Sequence, residues 1–167
     1  DITNYLKRGV NRIALMVFKY SKGSWFLDQD MWRFSGIFRD VKLVINPYTH
    51  IFDINNKSVL ADDFKTGILN VKVKIEGDTS FSKLLYRLSL NNEIIFSKET
   101  LLTNEEVSIN EKLENVLPWS AEKPNLYRLE FSIVKHEKEI EYTSTLFGFR
   151  NFKIVDGVML LNRKRLI

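Results

Sequence analysis

LNVKVKI, residues 69–75, alternates apolar and polar side chains without interruption. Successive side chains of a β-strand point to opposite faces of its sheet, so this alternation predicts a strand with one buried and one exposed face. No part of the sequence repeats its apolar residues at helical spacing over three turns. The stretch therefore indicates a domain built from β-strands.

The same period of two recurs along the chain and is interrupted by turn residues. It predicts strands at 50–54, 84–90, 93–98, 107–109, 127–133 and 139–147, and a hairpin formed by 152–155 and 158–161. Asn91-Asn92 and Asp156-Gly157 are typical of tight turns between such strands. About seven short strands at regular spacing predict an all-β fold, an antiparallel β-sandwich of the immunoglobulin or fibronectin type over residues 47–150. Residues 151–167 then form a separate hairpin.

Residues 1–46 do not continue this series. They contain two predicted strands, at 11–20 and 40–45, on either side of an aromatic-rich segment at 23–41. Two strands are too few to enclose a core, so residues 1–46 are predicted to be the C-terminal part of a preceding β domain. Their unpaired edges lead us to expect self-association through strands 11–20 and 40–45, or docking of these strands on the sandwich.

Composition excludes several classes of protein. The 167 residues are 44% hydrophobic and 28% charged, with a net charge of +4, which is typical of a globular domain rather than a disordered chain. No apolar run approaches the about eighteen residues of a membrane span, so we expect no membrane partner. The absence of cysteine excludes disulfides and zinc–thiolate sites and fits a cytoplasmic location.

The densest basic stretch is Arg163-Lys164-Arg165. Such a cluster can mark a nucleic-acid interface. The other basic residues are scattered among acidic ones, so we expect a solvated loop here and no nucleic-acid partner.

The acidic residues and histidines do not form a recognisable catalytic group. The acidic clusters are Asp62-Asp63, Glu105-Glu106 and the alternating set Glu137, Glu139 and Glu141, and we interpret all three as solvated faces. His50 and His136 are too few and too far apart for a zinc site. We therefore predict no catalytic residue in this chain.

Asp28 and Asp30 are the exception within the aromatic segment. Their spacing places both carboxylates on the same side of an extended chain, with Trp32 close by. Such a pair can bind a hard cation, or accept hydrogen bonds from sugar hydroxyls beside an aromatic ring. It can equally cap a loop by bonding backbone N–H groups or the nearby Arg33 and Arg39. The residues alone leave these alternatives open.

Four segments are distinctive: DITNYLKRGVNRIALMV (1–17), GSWFLDQDMWRFSGIFRDV (23–41), LPWSAEKPNLYRLEF (117–131) and GFRNFKIVDGVMLLN (148–162). They resemble family 2 glycoside hydrolases, and the β-galactosidase branch in particular. The first two are similar to the end of the family's sugar-binding-like first domain, so the resemblance implies that residues 1–46 are the C-terminal part of a jelly-roll β domain. The third resembles a motif late in the immunoglobulin-like second domain. The fourth is similar to the passage that leads to the catalytic (β/α)8 barrel.

This resemblance implies that the chain is a non-catalytic segment of a parent enzyme. The parent would hydrolyse terminal β-D-galactosides of the lactose type with retention, using glutamates and magnesium ligands of a barrel that lies beyond these residues. The segment would brace that barrel and bind no cofactor alone, while the parent would use sodium and magnesium and form a homo-oligomer.

The resemblance carries one site residue across. Asp30 would help to hold the sodium ion and meet the galactose 6-hydroxyl, with Asp28 and Trp32 in supporting positions. The alternative function, from a different class, is a free-standing β-sandwich that binds carbohydrate or protein.

Overall fold

A computed structural model describes residues 1–27 and 35–166 of the chain. The chain divides into two compact units, Asp1–Val44 and Ile45–Ile167. The second unit contains eight strands of a sandwich: β1 His50–Asn56, β2 Val59–Leu60, β3 Gly67–Glu76, β4 Ser82–Leu90, β5 Glu93–Leu101, β6 Glu106–Leu113, β7 Tyr127–Lys135 and β8 Lys138–Phe147.

The eight strands form two antiparallel sheets. In the first sheet β3 is central, with β6 along one edge and β1 and β2 along the other. In the second sheet the order is β5-β4-β7-β8. Buried residues of both sheets belong to one hydrophobic cluster, so the sheets enclose a common core. The predicted all-β sandwich is confirmed.

The core follows the alternation in the sequence. Alternate residues in the middle of β3 and of β7 are fully buried: Leu69, Val71, Val73 and Ile75 in β3, and Leu129, Phe131 and Ile133 in β7. Burying an aliphatic or aromatic side chain of this size contributes roughly 1.5–3 kcal/mol of transfer free energy. The core therefore supplies the main driving force for folding of the sandwich.

Tyr127 fixes the loop that enters β7. Its ring is 1% exposed, and its hydroxyl oxygen accepts a hydrogen bond from the backbone N–H of Leu117 at 2.7 Å. The ring also contacts Phe149 edge-on, with centroids 5.0 Å apart. A buried tyrosine that closes the loop before this strand is a recurrent device of immunoglobulin-like sandwiches.

The predicted tight turns are present. Asn91 and Asn92, between β4 and β5, both have positive φ, at 51° and 70°. Asp156 and Gly157 also have positive φ, at 48° and 75°. Two consecutive residues in this region form the turn whose twist matches a right-handed hairpin, and asparagine, aspartate and glycine tolerate it best.

A small sheet follows the sandwich within the second unit. It contains β9 Phe152–Val155, β10 Val158–Leu161 and β11 Lys164–Arg165, in the order β11-β10-β9. The predicted hairpin is confirmed and gains a third strand. Residues 163–165 were predicted as a solvated loop, and this was wrong for Lys164 and Arg165, which pair with Leu161 and Leu160. The basic side chains remain exposed, as expected.

Residues 1–44 contain a 3-10 turn at Thr3–Tyr5 and a short helix, α1 Ser24–Leu27. The prediction of strands at 11–20 and 40–45 was wrong: neither segment is paired as a strand in the structure. A strand is defined by its hydrogen-bonded neighbour, and alternation alone does not provide one. The apolar side chains of both segments are exposed.

One turn in residues 1–44 follows directly from the sequence. The Asn11 side chain accepts a hydrogen bond from the Lys7 N–H and donates to the Lys7 and Gly9 carbonyls, at 2.8–3.1 Å. Gly9 has φ +98°, a backbone conformation that favours glycine. The motif L-K-x-G-x-N thus encodes a closed turn.

Candidate functional site

The predicted site residues Asp28, Asp30 and Trp32 lie outside the described residues. Their roles therefore stay predictions. Among residues 1–27 and 35–166, no group of three or more histidine, aspartate or glutamate side chains could hold a metal ion.

Two of the three acidic clusters are exposed, as expected. Asp62 Oδ1 lies 2.6 Å from the Lys153 ammonium, and this hydrogen bond lowers the pKa of Asp62. Glu106 lies 2.7 Å from the Lys72 ammonium on the outer face of the first sheet. Both carboxylates are ion-paired on the surface, where such pairs contribute little to stability.

Glu141 departs from the predicted solvated face. Its carboxylate accepts a hydrogen bond from the Ile51 N–H at 2.6 Å, which joins the edge strands β8 and β1 of the two sheets. Burial raises the pKa of Glu141. The hydrogen bond from the Ile51 N–H and the nearby His50 lower it by less than burial raises it. The alternation of Glu137, Glu139 and Glu141 predicted a solvated face. The sequence does not show that β1 covers the edge of the sandwich at which Glu141 lies.

His50 lies at the same seam between the sheets. Its Nε2 is 3.9 Å from Glu76, and its Nδ1 is buried without a hydrogen-bond partner among the described residues. Glu141, His50 and Glu76 are thus neighbours at a structural joint. The arrangement ties β8 of one sheet to β1 of the other.

The small sheet β9-β10-β11 exposes a contiguous apolar face. Its members are paired directly across the strands, Ile154 with Met159 and Phe152 with Leu161. Phe152, Ile154 and Met159 are each more than half exposed. Apolar side chains clustered on one exposed sheet face mark a surface suited to contact with another protein surface. We call these four residues the hairpin face.

Two asparagines join this sheet to the sandwich, and we call them the asparagine clasp. The Asn151 N–H donates to Asn162 Oδ1 at 2.9 Å, and the Asn162 N–H donates to the Asn151 carbonyl at 2.8 Å. The Asn151 amide also donates to the Leu60 carbonyl, and the Asn162 amide donates to the Trp119 carbonyl. The clasp fixes the direction in which the hairpin face points from the sandwich.

A second contact supports the clasp. Lys153 pairs with Asp62, and the Arg163 guanidinium stacks 4.6 Å from the centre of the Phe64 ring while donating to the Asp62 carbonyl. Sequence reasoning missed this contact because its partners are about a hundred residues apart in the chain. The local signal that could have indicated the junction is the pair of asparagines, one before β9 and one after β10.

No helix in the described part of the chain combines the length and the apolar content that crossing a bilayer requires.

Two family matches cover most of the chain. Residues 1–47 match the family described as glycosyl hydrolases family 2, sugar binding domain. Residues 49–150 match the family described as glycosyl hydrolases family 2.

Curated relatives match over the full chain. The chain is 41% identical to a β-galactosidase of Clostridium acetobutylicum and covers 19% of that protein. It is 38% identical to a β-galactosidase of Streptococcus thermophilus, of which it covers 16%. It is 39% identical to the β-galactosidase large subunit of Lactobacillus helveticus, of which it covers 27%. The chain thus spans less than a third of the length of these relatives.

Solved structures share the fold. A β-glucuronidase of Parabacteroides merdae matches 72% of the chain with a TM-score of 0.66 and 26% identity, and the match covers 16% of that protein. A β-glucuronidase of Bacteroides uniformis matches 74% of the chain with a TM-score of 0.65 and 23% identity, covering 16% of that protein. The two family matches and the full-chain similarity to these relatives lead to one conclusion: the chain belongs to glycosyl hydrolase family 2.

Proposed function

We propose that this chain is a non-catalytic segment of a β-galactosidase. The observation that carries the proposal is its similarity over its full length to proteins named β-galactosidase, of which it spans 16–19% in the first two cases. The parent would hydrolyse terminal β-D-galactosides such as lactose, with retention of configuration.

The acidic groups of the segment support a non-catalytic role. Retaining hydrolysis needs two carboxyl groups about 5 Å apart, one of which has a raised pKa and protonates the leaving group. Among the described residues Glu141 is the carboxyl group whose pKa is raised, and its oxygen is bonded to the Ile51 backbone between the sheets. It serves the fold there, and the catalytic pair belongs to the parent's barrel.

Bracing of the barrel is the proposed role of the sandwich. The hairpin face offers four neighbouring apolar side chains, and the asparagine clasp holds that face in a fixed direction. Burying such a face against a neighbouring domain is favourable by roughly 25 cal/mol per Å² of apolar surface. A barrel seated there would be held rigidly to the sandwich.

The proposed contribution to the active site is the loop around Asp30. Asp30 would provide an oxygen ligand to sodium and a hydrogen-bond acceptor for the galactose 6-hydroxyl, with Asp28 and Trp32 in support. An Asp30→Asn change in the parent enzyme should lower kcat/KM for a nitrophenyl galactoside by at least about tenfold, because one charge-assisted hydrogen bond is lost. It should also raise the sodium concentration that gives half-maximal activity. Asp40→Asn, which alters an exposed carboxylate, is the matched control.

The inactivity of the segment is tested directly. The purified 167-residue chain should not hydrolyse a nitrophenyl β-D-galactoside above the rate of the buffer, at protein concentrations where the parent gives rapid turnover. Turnover that follows the chain through an additional purification step would contradict the proposal. Saturable binding of galactose or lactose to the chain alone would instead favour the free-standing carbohydrate-binding module.

A further inference from the structure

Arg150, just after β8, is a cation that has no acidic partner among residues 1–27 and 35–166. Arg87 and Lys153 are bound by Glu130 and Asp62 at 2.8 and 2.6 Å, but the Arg150 guanidinium has no carboxylate within ion-pair distance among the described residues. The Cζ of Arg150 lies 5.3 Å from the centre of the Trp119 ring. The indole holds the guanidinium in place and leaves its N–H donors available.

Arg150 lies at a cavity of about 400 Å³. Trp119 and Gly148 contribute to its wall, and its polar side chains come from Asn56, Ser58 and Thr145. A volume of this order is in the range of small-molecule sites. None of the described residues that line it is acidic. The cavity therefore combines a full positive charge with neutral groups that donate hydrogen bonds.

Asn56 forms part of the wall of the cavity. Its Oδ1 accepts a hydrogen bond from the Ser58 N–H at 2.9 Å, which fixes the orientation of the amide. Its Nδ2 is shut off from solvent, so a ligand in the cavity does not reach this nitrogen. The neutral donors of the cavity wall are therefore the hydroxyl groups of Ser58 and Thr145.

We propose that this cavity is a binding site for a carboxylate. The planar guanidinium of Arg150 can donate two parallel hydrogen bonds to the two oxygens, and the wall offers the hydroxyl groups of Ser58 and Thr145 as further donors. The carboxylate can come from a free sugar acid or from a glutamate side chain of a polypeptide, since both present the same group. The site is independent of the proposed hydrolytic role of the parent.

The test is an NMR titration of the ¹⁵N-labelled 167-residue chain at constant ionic strength. Sodium D-galacturonate is compared with neutral D-galactose, which differs at the carbon that bears the carboxylate. The indole N–H signal of Trp119, assigned by its loss in Trp119→Phe, should shift and saturate with galacturonate and stay in place with galactose. A third titration with N-acetyl-glutamate amide identifies the source, because the tighter of the two acids is the better ligand.

Two variants test the charge of the cavity. Arg150→Gln removes the cation and should weaken galacturonate binding at least about tenfold. Asn56→Asp places a carboxylate in the wall and should weaken binding similarly, because it repels the ligand. Arg163→Gln and Asn110→Asp are the controls, because they make the same replacements outside the cavity. Both variants should bind galacturonate as tightly as the wild-type chain does. Amide spectra that match the wild type away from the cavity confirm that each variant is folded.

Three results would overturn the proposal. One is the absence of saturable binding of both acids to the wild-type chain. Another is binding of galactose as tight as that of galacturonate, which would make the cavity a neutral-sugar site. The third is unchanged affinity in the Arg150→Gln variant.

Discussion

Residues 13–17 and residues 69–75 both place a large aliphatic side chain at every second position, and these side chains reach opposite states. Ile13, Leu15 and Val17 are 51–63% exposed, whereas the alternating residues of β3 are 0% exposed. The strand β3 has neighbours on both of its edges and a second sheet over its apolar face. Residues 13–17 are not paired as a strand in the structure. Alternation therefore describes a capacity to form a sheet, and burial depends on the partners.

The largest expected effect is the loss of a core ring. Phe131 on β7 is 0% exposed, and Phe38 in residues 1–44 is 84% exposed. Phe131→Ala should lower the free energy of unfolding by about 3–5 kcal/mol, because it removes buried surface and leaves a cavity. Phe38→Ala should change it by less than about 0.5 kcal/mol. Urea denaturation followed by circular dichroism measures both.

A substantial loss of stability in Phe38→Ala would break the comparison. It would show that residues 1–44 bury this ring in solution.

The next effect concerns two glycines. A Cβ on Gly148 would clash with the Trp119 Cβ, whereas a Cβ on Gly9 would meet nothing within 4 Å. Gly148→Ala should therefore destabilise the sandwich by about 1–3 kcal/mol through overpacking. Gly9→Ala should strain only its own turn, because its φ of +98° is unfavourable for alanine, and should leave the unfolding midpoint of the sandwich unchanged.

Thermal unfolding of the two variants provides the measurement. Equal melting temperatures would mean that Trp119 moves aside without cost, and that the close contact at Gly148 is not a constraint.

The smallest effect is a dependence on pH. Burial raises the pKa of Glu141 above its ordinary value of 4.5, so the native state binds more protons than the unfolded state between 4.5 and the raised pKa. The contribution of Glu141 to stability is complete below 4.5 and is lost as pH rises through the raised pKa. Glu141→Gln, which keeps an acceptor for the Ile51 N–H, should flatten this decline and gain stability at neutral pH.

Urea unfolding at a series of pH values above 4.5 measures how the free energy of unfolding changes with pH. Asp40→Asn, which alters an exposed carboxylate, is the control. A Glu141→Gln variant that is less stable than the wild type at neutral pH would contradict the predicted effect of Glu141.

Asp63 should affect the pH dependence of stability in the opposite direction. Hydrogen bonds from Thr66 and Lys65 lower the pKa of Asp63 to about 2, so its contribution to stability is lost as pH falls from 3.8 towards 2.

The strands and turns of the sandwich were predictable because neighbouring residues in the sequence determine them. Alternation located the strands, and asparagine or glycine pairs located their turns. The order of strands in the sheets is not local: residues 82–90 pair with residues 127–135, and nothing in either stretch specifies the other. The sequence also could not show that β1 covers the edge near Glu141, which turned an expected solvated carboxylate into a partly buried one.

The candidate sites divide in the same way. The Asp30 loop was proposed from a motif and remains a prediction. The cavity at Arg150 could not be predicted, since Asn56, Trp119 and Arg150 are brought together only by folding. The single local clue was the basic residue that follows Gly148-Phe149 in a motif shared with the family.

The asparagine clasp has a mechanical consequence. Rotation of the small sheet about residues 150–152 would break the bonds to Leu60, Trp119 and Asp62 together, so the junction has no free swivel. A force applied to the hairpin face is transmitted through these hydrogen bonds to β2 and to the loop before β7. The small sheet and the sandwich should therefore move as one rigid unit.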